Sequence, residues 1–142
     1  MEIFNTQNSD IFFKLFVAMI LGTIIGLERL LAKKPAGMRT YSLVSMGAAL
    51  FVVISEVISK NYHLIGTSSF DPLRMASQVV VGVGFLGAGL IIFQDSKIVG
   101  LTTASSLWVA AGIGVAAGYG LYSLAVIATI LTLIIFTVFW SV

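Results

Sequence analysis

Five long apolar stretches constrain this chain more than anything else in it. They run over about residues 11–31, 40–59, 73–93, 102–119 and 121–140. A helix needs roughly 17 to 25 apolar residues to cross a bilayer. Each stretch meets that length, and short polar breaks separate them. Apolar residues make up 58% of the 142 residues and charged residues only 10%. A soluble domain carries roughly 25% charged residues, so this chain has too little polar surface to face water on all sides. The expected fold is an all-α membrane protein: a single domain over residues 1–142, built as a bundle of about five transmembrane helices.

The breaks have recognisable chemistry. Pro35 and Gly37 in "AKKPAGMR" end the first helix. Asp71-Pro72 reads as an N-cap followed by proline at the first helical position. "QDSKIVG" separates the third and fourth helices, and Gly118 and Gly120 mark the last turn. Arg29, Lys33, Lys34 and Arg39 flank the first loop, and Lys97 lies in the third. The second loop holds only Lys60 and Arg74. Basic loops stay in the cytoplasm, which predicts an outside N-terminus and a cytoplasmic C-terminus, with Trp140 as an interface anchor. No Lys or Arg precedes Lys14, unlike the positive start of a secretory signal. The first helix is therefore expected to be retained, and no soluble domain is expected after the fifth.

The segment Gly82-Val-Gly84-Phe-Leu-Gly87 has the spacing of a dinucleotide-binding turn. That turn needs a preceding strand and an acid about 20 residues on. Position 107 is leucine, and the run is apolar throughout. Close packing explains the glycines better. Lipid gives helices no hydrophobic reason to associate, so small residues that allow close approach do the work. Gly84 and Ala88 form one small pair, with Ser77 a heptad earlier. Ala18, Gly22 and Gly26 form another row, and Thr102, Ser106, Ala110, Gly114 and Gly118 a third. Such faces can also line a narrow pore. The fifth helix is bulky and branched, which places it at the periphery.

Polar side chains gather at one end. Glu28 and Arg29 close the first helix, and Arg39 and Thr40 open the second, with Ser42 and Ser45 further in. Gln94 and Asp95 follow the third helix, and Thr102, Thr103, Ser105 and Ser106 begin the fourth. This cytoplasmic cluster can pair internally, with Glu28 bonded to Arg29 or Arg39, or bind an anion, a lipid headgroup or a protein. A connecting loop this short also predicts Glu28 and Arg39 within salt-bridge or one-water distance, with Thr103 nearby. Trp108 is expected to fill a gap opposite small residues, and Gln78 to bond across helices. Glu56 and Asp71 together offer a weaker site for Mg²⁺, or are simply solvated. His63, the sole histidine, reads as a loop residue, and there is no cysteine. No metal, cofactor or nucleic-acid partner is expected. No nucleophile, base and orienting group occur together, so no enzyme is expected either.

Three stretches, "GLERLLAKKPAGMRTYSLVSMGAALF", "DPLRMASQVVVGVGFLGAG" and "GLTTASSLWVAAGIGVAAG", resemble the MgtC/SapB family of bacterial inner-membrane proteins. The resemblance covers roughly residues 10 to 140. It implies a multi-pass protein of the bacterial plasma membrane connected with magnesium homeostasis and virulence. Its better-known members are linked to growth under magnesium limitation and survival inside macrophages. They act by binding and restraining membrane machines such as the F-type ATP synthase, rather than by moving Mg²⁺. The motif positions carried over are Gly26, Glu28, Arg29, Gly37, Arg39, Thr40, Ser45, Gly82, Gly84, Phe85, Gly87, Gly89, Gly100, Thr103 and Trp108. Longer members carry a further cytoplasmic domain, which this chain is expected to lack. The resulting expectation is a protein that binds or regulates a membrane partner, ATP synthase or cation-homeostasis machinery, under low magnesium or stress. The alternative is a small transporter or channel subunit for a divalent cation or small solute, acting as a homo-oligomer. A transporter needs a wet cavity at the midplane lined by Ser45, Ser106 or Gln78, whereas a regulator is packed solid there.

Overall fold

The computed structural model describes residues 2–63, 71 and 73–139, with side chains from residue 7 to 60, at 71, and from 73 to 139. Pro72, Trp140 and the side chain of His63 lie outside the described residues. Five helices form as expected: α1 (Glu2–Leu31), α2 (Met38–His63), α3 (Leu73–Ala88), α4 (Leu101–Gly118) and α5 (Tyr122–Val138). A two-stranded hairpin, β1 (Ile92–Gln94) and β2 (Lys97–Val99), joins α3 to α4. Stretches of α1, α2 and α4 are long and apolar enough to cross a membrane, at Gln7–Leu31, Met38–Lys60 and Leu101–Gly118. The apolar helices α3 and α5 are shorter, at 16 and 17 residues. The chain is a membrane protein.

The helix α4 sits at the centre and touches every other helix. Its composition favours this, because small residues on several faces let neighbouring helices approach it closely. Its buried residues are mostly small, including Ala104, Ser106, Ala110, Ala111, Gly114, Ala117 and Gly118. The helix α2 lies between α1 and α4 and makes the two largest helix contacts. The helix α5 leans on α1 and α4 through Ala125, Thr129, Thr132 and Phe136, and exposes most of its branched residues.

Glycine seams set the spacing around α2. A Cβ at Gly22 would lie 2.5 Å from the Tyr41 carbonyl oxygen, and one at Gly114 would lie 2.0 Å from the Ser45 carbonyl oxygen. The Tyr41–Ser45 turn of α2 is thus gripped from both sides. Gly26 lets α1 approach Met38, where a Cβ would come within 2.6 Å of the Cα. Gly118 does the same beside Val52, at 2.8 Å. The seams expected on α1 and α4 are in place, except that Thr102 is exposed.

The seam expected on α3 is not. Ser77, Gly84 and Ala88 are exposed, and a Cβ at Gly82 or Gly84 would meet nothing within 4 Å. The helix seats itself through Val79, Val83 and Gly87, against Ala48, Ala111 and Ala104. Successive helix residues are turned by about 100°, so the face that buries two valines swings Gly84 away from it. Gly89 lies beyond the helix end, where a Cβ would meet only nearby carbonyl oxygens of Leu86 and Phe85.

The third helix also ends at Ala88 rather than Phe93. Leu90 and Ile91 donate to the Gly87 and Ala88 carbonyls in a closing turn. Asp95 and Ser96 then take φ of 47° and 65°, the left-handed pair that a tight hairpin turn requires. Gly100 closes the unit at φ 95°, with the Leu90 carbonyl 2.0 Å from where a Cβ would be. Only glycine fits there. The α4–α5 turn closes as a Schellman motif: Leu121 donates to the Ala116 carbonyl at 2.8 Å and Gly120, at φ 76°, to that of Ala117 at 3.0 Å.

Candidate functional site

The end of the bundle where α1 finishes and α4 begins is built around Arg29. This residue occupies the last turn of α1 and is 3% exposed. An unpaired charge at such depth is costly, and two partners answer that cost. Nε and Nη2 donate to both oxygens of Glu28, the latter at 2.8 Å. The guanidinium carbon also lies 3.5 Å over the ring of Phe136 on α5. The fork matches a carboxylate, and its flat face matches an aromatic ring.

The pairing of Glu28 with Arg39 does not form. Both Glu28 oxygens are taken by Arg29, while Arg39 and Thr40 are exposed at the start of α2. Arg39 makes no ion pair among the described residues. Asp95 also stands apart, exposed in the hairpin turn without an ion pair among the described residues. Trp108 is 53% exposed and fills no gap, because Leu107 and Ala111 take the inner face of α4.

Arg29, Lys34, Thr102 and Thr103 come together instead around a cleft of about 650 Å³. The first turn of α4 forms one wall and the ends of α5 and β2 the other, with Gly100, Ile98 and Phe136 among its lining. Thr103 is buried at its floor. Behind it runs a short hydroxyl chain: Ser106 donates to the Thr103 carbonyl at 2.9 Å and shares a 2.5 Å hydrogen bond with the Tyr41 hydroxyl. Tyr41 was missed in the sequence, although it stands one helical turn before Ser45 inside a quoted motif. Ser45 lies deeper, fully buried, with its hydroxyl lacking a hydrogen-bond partner among the described residues.

The opposite end holds a second charge network. Lys14, only 7% exposed, lies 2.7 Å from Glu56 and 3.3 Å from Asp10. Lys60 holds the other Glu56 oxygen at 2.9 Å. Glu56 is therefore occupied by two ammonium groups rather than shared with Asp71 in a magnesium site. Asp71 caps α3, accepting from the Leu73 N–H at 2.9 Å. Tyr119, in the α4–α5 turn, shares this end. Partial burial, then the charges of Asp71 and Glu56, raise its pKa above the ordinary tyrosine value. A signal for the Lys14–Glu56 pair was present: Lys14 lies 19 residues before Lys33, and Glu56 lies 19 residues after Gly37. Antiparallel helices joined over that loop bring the two level.

The quoted motifs thus supply the end of α1 and the first half of α2 across their loop, all of α3 and all of α4. Residues 15–142 match the MgtC family. The chain belongs to the MgtC family. Among its MgtC-family relatives, "Protein MgtC" of Brucella abortus is 47% identical over 113 residues, 80% of this chain and 44% of that protein. "Protein SrpB" of Synechococcus elongatus is 42% identical over 134 residues, 86% of this chain and 70% of that protein. "Putative magnesium transporter YhiD" of Escherichia coli K12 is 41% identical over 133 residues, 94% of this chain and 62% of that protein. The chain spans between 44% and 70% of the length of these three relatives. No solved structure matches it.

Proposed function

We propose that this MgtC-family chain is a multi-pass protein of the bacterial plasma membrane that serves magnesium homeostasis by binding and regulating another membrane protein. Its basic end faces the cytoplasm in this reading, and it carries out no catalysis. The link to magnesium rests on the family and on the wording of the Escherichia coli relative's name. The observation that carries regulation over conduction is the packing around Ser45. Gly22 and Gly114 close on its turn of α2, and Ser106 is occupied by Tyr41. An ion path through this protomer would have to part helices held at backbone contact. ATP synthase and cation-homeostasis machinery are the partners that the family resemblance implies.

A second reading keeps one structural feature in its favour. An apolar groove of about 500 Å³ runs between α2 and α3, with Gln78 on its wall and open space at Gly47 and Gly82. A homo-oligomer closing over that groove would be a small transporter for a divalent cation or small solute.

The two readings separate in one reconstitution. Protein in liposomes loaded with a magnesium-sensitive dye gives no flux above empty liposomes, while gentle extraction from its own membrane brings down one membrane protein in fixed ratio. Saturable Mg²⁺ flux that falls in Gln78→Leu would overturn the regulatory reading.

A further inference from the structure

The cleft beside Arg29 is polar on one side and apolar on the other. On the polar side stand Arg29, Lys34 and the first turn of α4, whose cap is Gly100 and therefore offers no side chain to its N–H groups. Free N–H groups at a helix start attract anions, but a helix start alone would not make a site. Two further features point into the same space. Thr103 is 4% exposed, lines the cleft, and its hydroxyl makes no hydrogen bond among the described residues. Arg29 uses Nε and Nη2 on Glu28 and has no partner for Nη1 among the described residues. Among the described residues, no acidic side chain lines the cleft. Two side chains that are more than nine-tenths buried, Thr103 and Arg29, thus each keep a polar atom with open hydrogen-bonding capacity, and both line this one pocket.

We propose that this cleft holds the phosphate of an anionic phospholipid. The apolar part of the lining is Ile135, Phe136 and Phe139 at the end of α5, with Phe136 in contact with Arg29. A free phosphate would press solvated oxygens against these side chains and lose hydrogen bonds in doing so. A phosphodiester carries one charge and two bridging oxygens that need no donors, and its glycerol and acyl carbons match the apolar wall. The position agrees, because the apolar stretch of α1 ends at Leu31 and that of α4 begins at Leu101, at headgroup depth. Thr103, Nη1 of Arg29 and the α4 N–H groups bind the non-bridging oxygens, and Lys34 adds charge.

The test uses the full chain, delipidated in dodecyl maltoside, and native mass spectrometry with added dioleoyl-phosphatidylglycerol, dioleoyl-phosphatidylcholine or inorganic phosphate. Phosphatidylglycerol binds the parent at least about fivefold more tightly than phosphatidylcholine. Thr103→Val, which keeps the shape and removes the hydroxyl, weakens phosphatidylglycerol about fivefold, the effect of one lost hydrogen bond. Lys34→Gln weakens it similarly, and Arg74→Gln leaves it unchanged. Melting in detergent without lipid is the same for Lys34→Gln as for the parent, so its loss of binding cannot come from unfolding. Parental binding by both Thr103→Val and Lys34→Gln overturns the site. Inorganic phosphate that protects the protein from heat as well as phosphatidylglycerol does overturns the lipid assignment.

Discussion

The guanidinium of Arg29 lies 3.5 Å above the ring of Phe136, and this contact ties the last turn of α1 to the last turn of α5. It joins a charged side chain of the basic end to the peripheral helix. A cation over a desolvated aromatic ring contributes about 2 kcal/mol. Phe136→Leu keeps an apolar side chain and removes the ring face. Its melting temperature in detergent should fall, while Phe136→Tyr should stay close to the parent. Equal melting of Phe136→Leu and the parent would remove the contact from the account of stability.

The glycines divide into two classes that substitution should separate. Gly114→Ala forces a methyl group onto the Ser45 carbonyl, and Gly22→Ala onto that of Tyr41. Overpacking typically costs about 1–3 kcal/mol, and backbone cannot turn aside as a side chain can. Both variants should accumulate poorly in the membrane and melt early. Gly84→Ala meets open space and should accumulate like the parent. A Gly114→Ala protein as stable as Gly84→Ala would show that the helices do not approach as described.

Lys14 and Glu56 should behave as a unit. Lys14→Met leaves Glu56 with Lys60 alone, and Glu56→Gln leaves a nearly buried ammonium with only Asp10. Exposed pairs contribute below about 1 kcal/mol and buried ones lose about 3–5 kcal/mol when broken. This half-buried pair should cost about 2 kcal/mol in either single variant. The double variant Lys14→Met with Glu56→Gln should lose clearly less than the sum of the two single losses in a denaturation cycle. Additive losses would mean that the two side chains do not interact.

Topology gives a prediction independent of side-chain detail. A reporter fused after Lys34 should report cytoplasm, and one placed between Lys60 and Arg74 should report the opposite side. The basic bias of the first loop motivates this. The reverse pattern would place the Arg29 cleft in the outer leaflet.

Much of this molecule is written locally in the sequence. The first two helices are delimited by Pro35 and Gly37, and the last two by Gly120, because those residues set the backbone whatever surrounds them. The row Ala18–Gly22–Gly26 is legible because it is a single small face on a bulky helix, and Ser106–Ala110–Gly114–Gly118 because α4 is small on so many sides that neighbours can approach it all round. The helix α3 carries small residues on more than one side, so spacing cannot tell which side is covered; Val79 and Val83 decide it by what they meet. The hairpin was hidden because Ile92 and Phe93 continue the hydropathy of the helix before them, and only the backbone at Asp95 and Ser96 breaks it. At the basic end, the sequence brings Glu28 level with both Arg29 and Arg39. Which arginine wins depends on Phe136, more than a hundred residues from Arg29 along the chain, and no local pattern carries that.

The brevity of α3 bears on the surrounding lipid. Sixteen residues rise roughly 24 Å, against a hydrocarbon thickness of about 30 Å. The hairpin cannot extend it inside the hydrocarbon, because its strand edges carry backbone groups that lipid cannot satisfy. The rim of the protein is therefore tall beside α1 and low beside α3, and the bilayer must thin locally along one flank. Each ångström of such mismatch costs a fraction of a kcal/mol. Lipids with shorter acyl chains relieve that mismatch, so this flank is better matched to a thin membrane than to a thick one.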